Sequence, residues 1–125
     1  MNGKVYLLDT NAVIALLQGD ADVQQVIDDA QWVGISVITY IEFLAFPQIA
    51  DEDVALMEQF TSIAEVVGLD LADSGLIAET TTIRRKYGVK LPDAVILATA
   101  HTRNATLITR DRALLDIPDY HSRPY

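Results

Sequence analysis

The chain has 125 residues, 50% of them hydrophobic and 22% charged, with a formal net charge of −9. That is the length of one domain, too apolar for a disordered chain, and long enough to bury about two thirds of its unfolded surface on folding. It has no cysteine, which excludes disulfides and thiolate metal sites, and no apolar run approaches the ~20 residues of a membrane-spanning helix.

The charge is unevenly placed. Residues 1–83 carry 14 acids and one base, Lys4, whereas residues 84–125 carry 8 bases and 4 acids. Polyanions are held through Lys and Arg. A basic final third can face one while the acidic body holds a metal or a basic partner. The acids of residues 51–79 are read as solvated helix faces.

Met1-Asn2-Gly3 leads directly into Lys4–Leu8, an unbroken apolar run of strand length that ends at Asp9. Nothing there resembles a cleaved leader, so a soluble, unprocessed, cytoplasmic protein is expected. A strand without polar interruption suits a parallel sheet covered on both faces. Thr10 or Asn11 caps a helix over Ala12–Leu17 that Gly19 ends, and Asp20 or Asp22 opens a second helix through Ala30. Val33–Ile38 is the second strand, and a helix over Thr39–Phe46 stops before Pro47. Asp51-Glu52-Asp53 start the next helix, to about Ser62, and complement its dipole. Ala64–Gly68 is a short strand. Asp70 or Asp73 caps a long helix to Tyr87, which closes with Arg84-Arg85-Lys86 and Gly88. Pro92 opens a helix to about Arg103, followed by a strand at Thr106–Thr109, a turn of helix over Asp111–Asp116, and an edge strand or tail at Asp119–Tyr125. Strands alternating with helices predict an α/β domain, a mainly parallel sheet of 4–5 strands between two helical layers.

Functional sites in such sheets lie beyond the carboxyl ends of the strands. Asp9 follows the first strand, and Asp111 comes two residues after Thr109. Glu42 and Asp93 are each expected in the first turn of a helix at that same edge. Two carboxylates ~4 Å apart repel by about 4 kcal/mol at an effective dielectric of 20. Such a cluster binds a cation, takes up a proton or splays apart. Mg2+ or Mn2+ suits an all-oxygen set, whereas zinc would want histidine or cysteine. His101 and His121 lie outside the acidic segments. No Ser-His-Asp or Cys-His set and no phosphate-cradling glycine loop competes.

Each acid also has a purely structural reading. Thr39-x-x-Glu42 fits a capping box, Asp93 complements a helix dipole, and Asp111 caps the turn after it. Asp9 is harder to explain that way, because a buried strand ending in Asp-Thr-Asn places three polar groups at the functional edge. Arg84, Arg85 and Lys86 read as a solvated helix end. Arg110 and Arg112 flank Asp111 and are better placed for phosphate contacts.

Four blocks in order carry a family resemblance: Leu7-Leu8-Asp9-Thr10-Asn11, Ser36–Glu42, Leu91–Ala100 with Pro92-Asp93, and Leu107-Ile108-Thr109-Arg110-Asp111. Together they resemble PIN-domain proteins, and most closely the VapC-type toxins of type II toxin–antitoxin pairs. The likeness spans residues 1–125 as one PIN-like α/β/α domain. It implies a Mg2+- or Mn2+-dependent endoribonuclease in which Asp9 and Asp93 are the main metal ligands and Glu42 and Asp111 complete the acidic set. Thr10, Asn11 or Thr109 would orient ligands or the substrate phosphate. It also implies a homodimer and an antitoxin protein whose tail enters the acidic groove. One departure is that Ala113 and Leu114 stand where many relatives have an acid and a phenylalanine. Asp111 then serves as the fourth acid, Asp116 swings in, or the site works with three. The competing functions are a PIN-fold RNA-binding or scaffold protein with little catalysis, and a receiver-like phosphoacceptor. The latter leaves Glu42 and Asp93 unexplained.

Overall fold

Apolar side chains alternate along β1 (Val5–Leu8), and the alternation sorts the two cores. Leu7 packs with one helical layer, while Tyr6 and Leu8 pack with the other. In the computed structural model, which describes residues 4–125, β1 is the centre of a five-stranded sheet. Met1-Asn2-Gly3, expected to lead straight into the strand, lie outside the described residues.

The remaining strands are β2 (Trp32–Ser36), β3 (Glu65–Val67), β4 (Thr106–Ile108) and β5 (Ser122–Arg123). Their order is β3-β2-β1-β4-β5 and every pairing is parallel. The helices are α1 (Thr10–Leu17), α2 (Ala21–Val26), α3 (Val37–Leu44), α4 (Asp51–Thr61), α5 (Ser74–Tyr87), α6 (Leu91–Thr102) and α7 (Arg112–Leu115). Ala12, Val13, Val23, Phe43, Met57 and Phe60 bring α1–α4 onto one face of the sheet. Leu76 and Ile83 of α5, Ile96 and Leu97 of α6, and Leu114 of α7 cover the other. This is the three-layer α/β/α arrangement that the sequence predicts, with a fully parallel sheet.

The chain winds outward from β1 through β2 to β3, then returns through α5 and α6 to lay β4 on the other side of β1. The β1/β4 junction is therefore the point where strand order reverses, and a crevice opens there above the carboxyl ends. Asp9 leaves β1 at that crevice and Asp111 follows β4.

Several local expectations are corrected. β2 ends at Ser36, two residues early, because the Ser36 hydroxyl accepts from Ile38 N at 3.1 Å and caps α3. Thr39 is consequently a buried helix residue, and the Thr39/Glu42 capping box does not form. Glu42 lies in the second turn of α3, not the first. Asp9 itself, not Thr10 or Asn11, caps α1. α2 stops at Val26, short of Ala30. Asp73 caps α5, and Gly88 ends it with φ 66, a left-handed conformation that glycine adopts without strain. β5 makes the C-terminal stretch a paired edge strand.

Candidate active site

Asp9 is 8% exposed at the end of β1, where its Oδ1 accepts from Ala12 N at 2.8 Å. One carboxylate oxygen thus serves the helix. Buried Thr109 sits beside it. The Thr109 hydroxyl accepts from Asp111 N at 3.0 Å, which fixes the turn after β4. Asp111 caps α7 by accepting from Ala113 N at 2.9 Å. Capping a helix and lining the crevice are therefore compatible for Asp9 and Asp111.

Asp93 is half-buried in the first turn of α6. Exposed Glu42 accepts from the Thr10 hydroxyl at 2.5 Å, and that hydroxyl lies 3.4 Å from the Thr39 hydroxyl. Asp9, Thr10, Asn11, Glu42, Asp93 and Asp111 all line one open cleft of ≈ 460 Å³, joined by Ala45, Phe46 and Ile96. The three apolar wall residues were not anticipated, and no local pattern marks them.

The electrostatics register this crowding. Burial pushes the Asp9 carboxyl above its ordinary range; the Thr109 hydroxyl and Ala12 N–H counter it, and the charges of Asp111 and Asp93 add to it. Burial also raises Asp93, with Asp111 and Glu42 reinforcing the rise and Lys90 opposing it. Asp9 and Asp93 thus each feel the charge of neighbouring carboxylates. Among the described residues, however, no three Asp, Glu or His side chains converge closely enough to hold one ion. Mg2+ needs less than that. It is commonly bound through one or two carboxylates and keeps several waters. A set of oxygen donors with two carboxyls strained toward protonation fits such an ion, and does not fit a ligand-encased one.

The basic residues named from the sequence fall outside the cleft lining. Arg110 donates from Nε to the Tyr125 carbonyl at 2.5 Å, lies 4.2 Å above the Tyr125 ring, and pairs with Asp22 at 3.3 Å. It fastens the C-terminal stretch to the sheet. Arg112 is exposed and stands 3.9 Å from Asp116, so Asp116 faces that arginine rather than the cleft. A larger apolar groove of ≈ 760 Å³ runs between α1, α3 and α4, lined by Ile14, Leu17, Phe43, Phe46, Ile49 and Leu56 among others. Phe46 belongs to both concavities.

A parallel α/β/α domain with carboxylates gathered at its strand-order reversal defines a class of acidic-cleft proteins. A family model for the PIN domain matches residues 6–120, and the chain belongs to that family. None of the curated proteins compared with it matches. Among solved structures, it is similar to a toxin–antitoxin complex from Klebsiella pneumoniae (28% identity, 90% of this chain and 92% of that one, TM-score 0.75). It is also similar in fold to DNA-bound VapBC from Salmonella typhimurium (22% identity, 99% and 98% covered, TM-score 0.77). VapBC2 from Rickettsia felis, bound to a promoter DNA fragment, is a further match in fold (18% identity, 97% and 98% covered, TM-score 0.77).

Proposed function

We propose that residues 1–125 form a single nuclease domain, a Mg2+- or Mn2+-dependent endoribonuclease that is the toxin of a toxin–antitoxin pair. The observation that carries this reading is the cleft itself: four acids, far apart in the chain, line it at the sheet's functional edge. The PIN-domain match and the likeness to VapBC complexes support it.

Asp9 and Asp93 would hold the ion, with Glu42 and Asp111 completing the acidic set. When bound, a divalent ion lowers the pKa of water and neutralises phosphate charge during in-line attack. The chain's own residues prepare that chemistry. The α1 cap fixes the Asp9 carboxylate, Thr109 holds both Asp9 and the Asp111 turn, and Thr10 fixes Glu42. Asn11 offers an uncharged amide to a phosphate oxygen at the same rim. Phe46 and Ile96 limit water on the apolar wall.

The groove that shares Phe46 with the cleft suits a partner bearing an amphipathic segment followed by a basic tail, which is the chemistry expected of an antitoxin. A homodimer and a cytoplasmic location complete the proposal; among the described residues no helix is long and apolar enough to cross a membrane. The test is cleavage of RNA with Mg2+ or Mn2+, compared with EDTA and with Asp9→Asn and Asp93→Asn. Loss of cleavage in all three is expected, and undiminished cleavage by both variants would sink the reading.

A second reading is a PIN-fold RNA-binding or scaffold protein with little turnover. It is favoured by Ala113, which supplies only a backbone N–H to Asp111, and by the lack of three converging ligands among the described residues. Metal binding without cleavage of any RNA would select it.

A further inference from the structure

The segment Arg84–Lys90 holds four of the chain's nine basic residues. It lies where α5 ends and α6 begins, so α6 carries Asp93 away from it within one turn. Lys90 is the residue that caps α6 and is exposed. Its charge already acts on Asp93, against the neighbouring carboxylates.

Only three of the chain's nine Lys and Arg residues, Arg103, Arg110 and Arg112, form an ion pair with a carboxylate among the described residues. Among the described residues, Lys4 and Arg123 make no ion pair within 4.0 Å, and neither do Arg84, Arg85, Lys86 and Lys90, which differ in being clustered in one segment. These four are not equivalent. Arg84 donates to the Val89 carbonyl at 3.0 Å and so braces the connector. Lys86 lies 5.4 Å from the centre of the Tyr87 ring, and the Tyr87 hydroxyl reaches the Pro118 carbonyl at 3.5 Å. Tyr87 and Val89 also pack on the core that Leu114 of α7 joins. The connector is therefore a braced shelf.

We propose that Arg85, Lys86 and Lys90 form a phosphate-binding shelf that carries the backbone of a single-stranded RNA to the acidic cleft at Asp93. This rests on the nuclease reading and supplies what that reading lacks. A cleft of four carboxylates repels a polyanion, and unpaired cations in the segment that leads into the first turn of α6, where Asp93 stands, offset that repulsion along the approach. The contacts would be to phosphates, so they hold and orient the strand without reading its sequence. Arg84 acts only as the brace.

The test is binding of a fluorescent 20-nucleotide single-stranded RNA, by anisotropy, over a series of salt concentrations in EDTA, and again with magnesium. The unaltered chain is compared with the triple variant Arg85→Gln, Lys86→Gln, Lys90→Gln and with Arg103→Gln, a cation outside the shelf. Single-strand contacts contribute a slope of about −0.7 each to the dependence of log affinity on log salt. The triple variant should bind at least tenfold more weakly at low salt with the slope smaller by about 2, and Arg103→Gln should leave both unchanged. Because the three side chains are exposed, thermal unfolding should match the unaltered chain. Equal RNA affinity and slope in the triple variant would overturn the shelf and leave the nuclease reading standing. Weakened binding of a polyglutamate peptide with RNA binding intact would also overturn it, in favour of an acidic protein partner. RNA binding by neither chain, with or without magnesium, would remove the shelf and the nuclease reading together.

Discussion

The Thr10 hydroxyl donates to a Glu42 carboxylate oxygen at 2.5 Å, joining the first turn of α1 to the second turn of α3 across the cleft. Glu42 is exposed and on a helix side, so without this bond its carboxylate would sample several rotamers. Thr10→Val keeps the shape and removes the donor. Groups that orient metal-site ligands are commonly worth 10–100-fold in affinity or activity. A fall of roughly that size in metal-dependent cleavage is expected, with a stability loss of about 1 kcal/mol in urea unfolding. Unchanged cleavage would show that Glu42 needs no fixing.

Asp111 separates its two duties by substitution. Its Oδ1 caps α7 through Ala113 N, and asparagine caps as well as aspartate does while alanine does not. Asp111→Asn should therefore retain stability, and Asp111→Ala should lose about 1 kcal/mol. If the charge serves the metal site, both lose cleavage alike. Cleavage that survives in Asp111→Asn would reduce Asp111 to a cap and leave three acids to do the work.

Much of this could be read from the chain, because the decisive signals are local. The apolar run of β1, the acids directly after strands, Pro92 at a helix start and Gly88 at a helix end each act within a few residues. The misplaced boundary of α3 has a different origin. Val37 and Ile38 favour a strand by composition, yet the Ser36 cap and the packing of Thr39 and Phe43 draw both into helix. The Thr39/Glu42 capping box and the first-turn position of Glu42 fall with it. Arg110 reads from its place beside Asp111 as a phosphate contact, whereas its partners in the fold, Asp22 and Tyr125, are 88 and 15 residues away. Such pairings depend on the closed sheet, and no spacing encodes them. Phe46 and Ile96 are cleft residues only by virtue of how α3 and α6 pack.

Gly34 lies under the chain's single tryptophan. A Cβ there would come within 2.3 Å and 2.6 Å of the Trp32 ring and 3.0 Å of the Glu65 carbonyl. Gly34→Ala must expel the ring, which is also held by a 3.3 Å bond from its Nε1 to Glu65. A destabilisation of about 1–3 kcal/mol is expected for such overpacking, with a change in tryptophan emission. Gly68→Ala has nothing within 4 Å and no left-handed backbone. It should be neutral or slightly stabilising. Equal behaviour of the two variants would show that Trp32 is not seated on the strand.

The acidic cleft should give itself away in how stability depends on pH and metal. Burial, then neighbouring carboxylates, raise Asp9 and Asp93 above their ordinary value of 3.8, so the folded chain holds these protons more tightly than the unfolded one. That contribution is complete below the unfolded value and is lost as pH rises through the folded ones. Other acids also titrate, so the informative quantity is the difference between the unaltered chain and Asp93→Asn, whose amide cannot ionise. In EDTA, the variant's stability relative to the unaltered chain should increase as pH rises through this window. Magnesium should reverse the order above it: at ~100 times its dissociation constant, binding adds about 2.7 kcal/mol to the unaltered chain and much less to the variant. Below the window protons compete with the ion, and the magnesium effect should fade. Urea midpoints measured at a series of pH values, with and without magnesium, check all three. A difference independent of pH in EDTA, together with a magnesium effect equal in both chains, would mean that neither burial nor its neighbours' charge raises Asp93 and that it does not meet the ion.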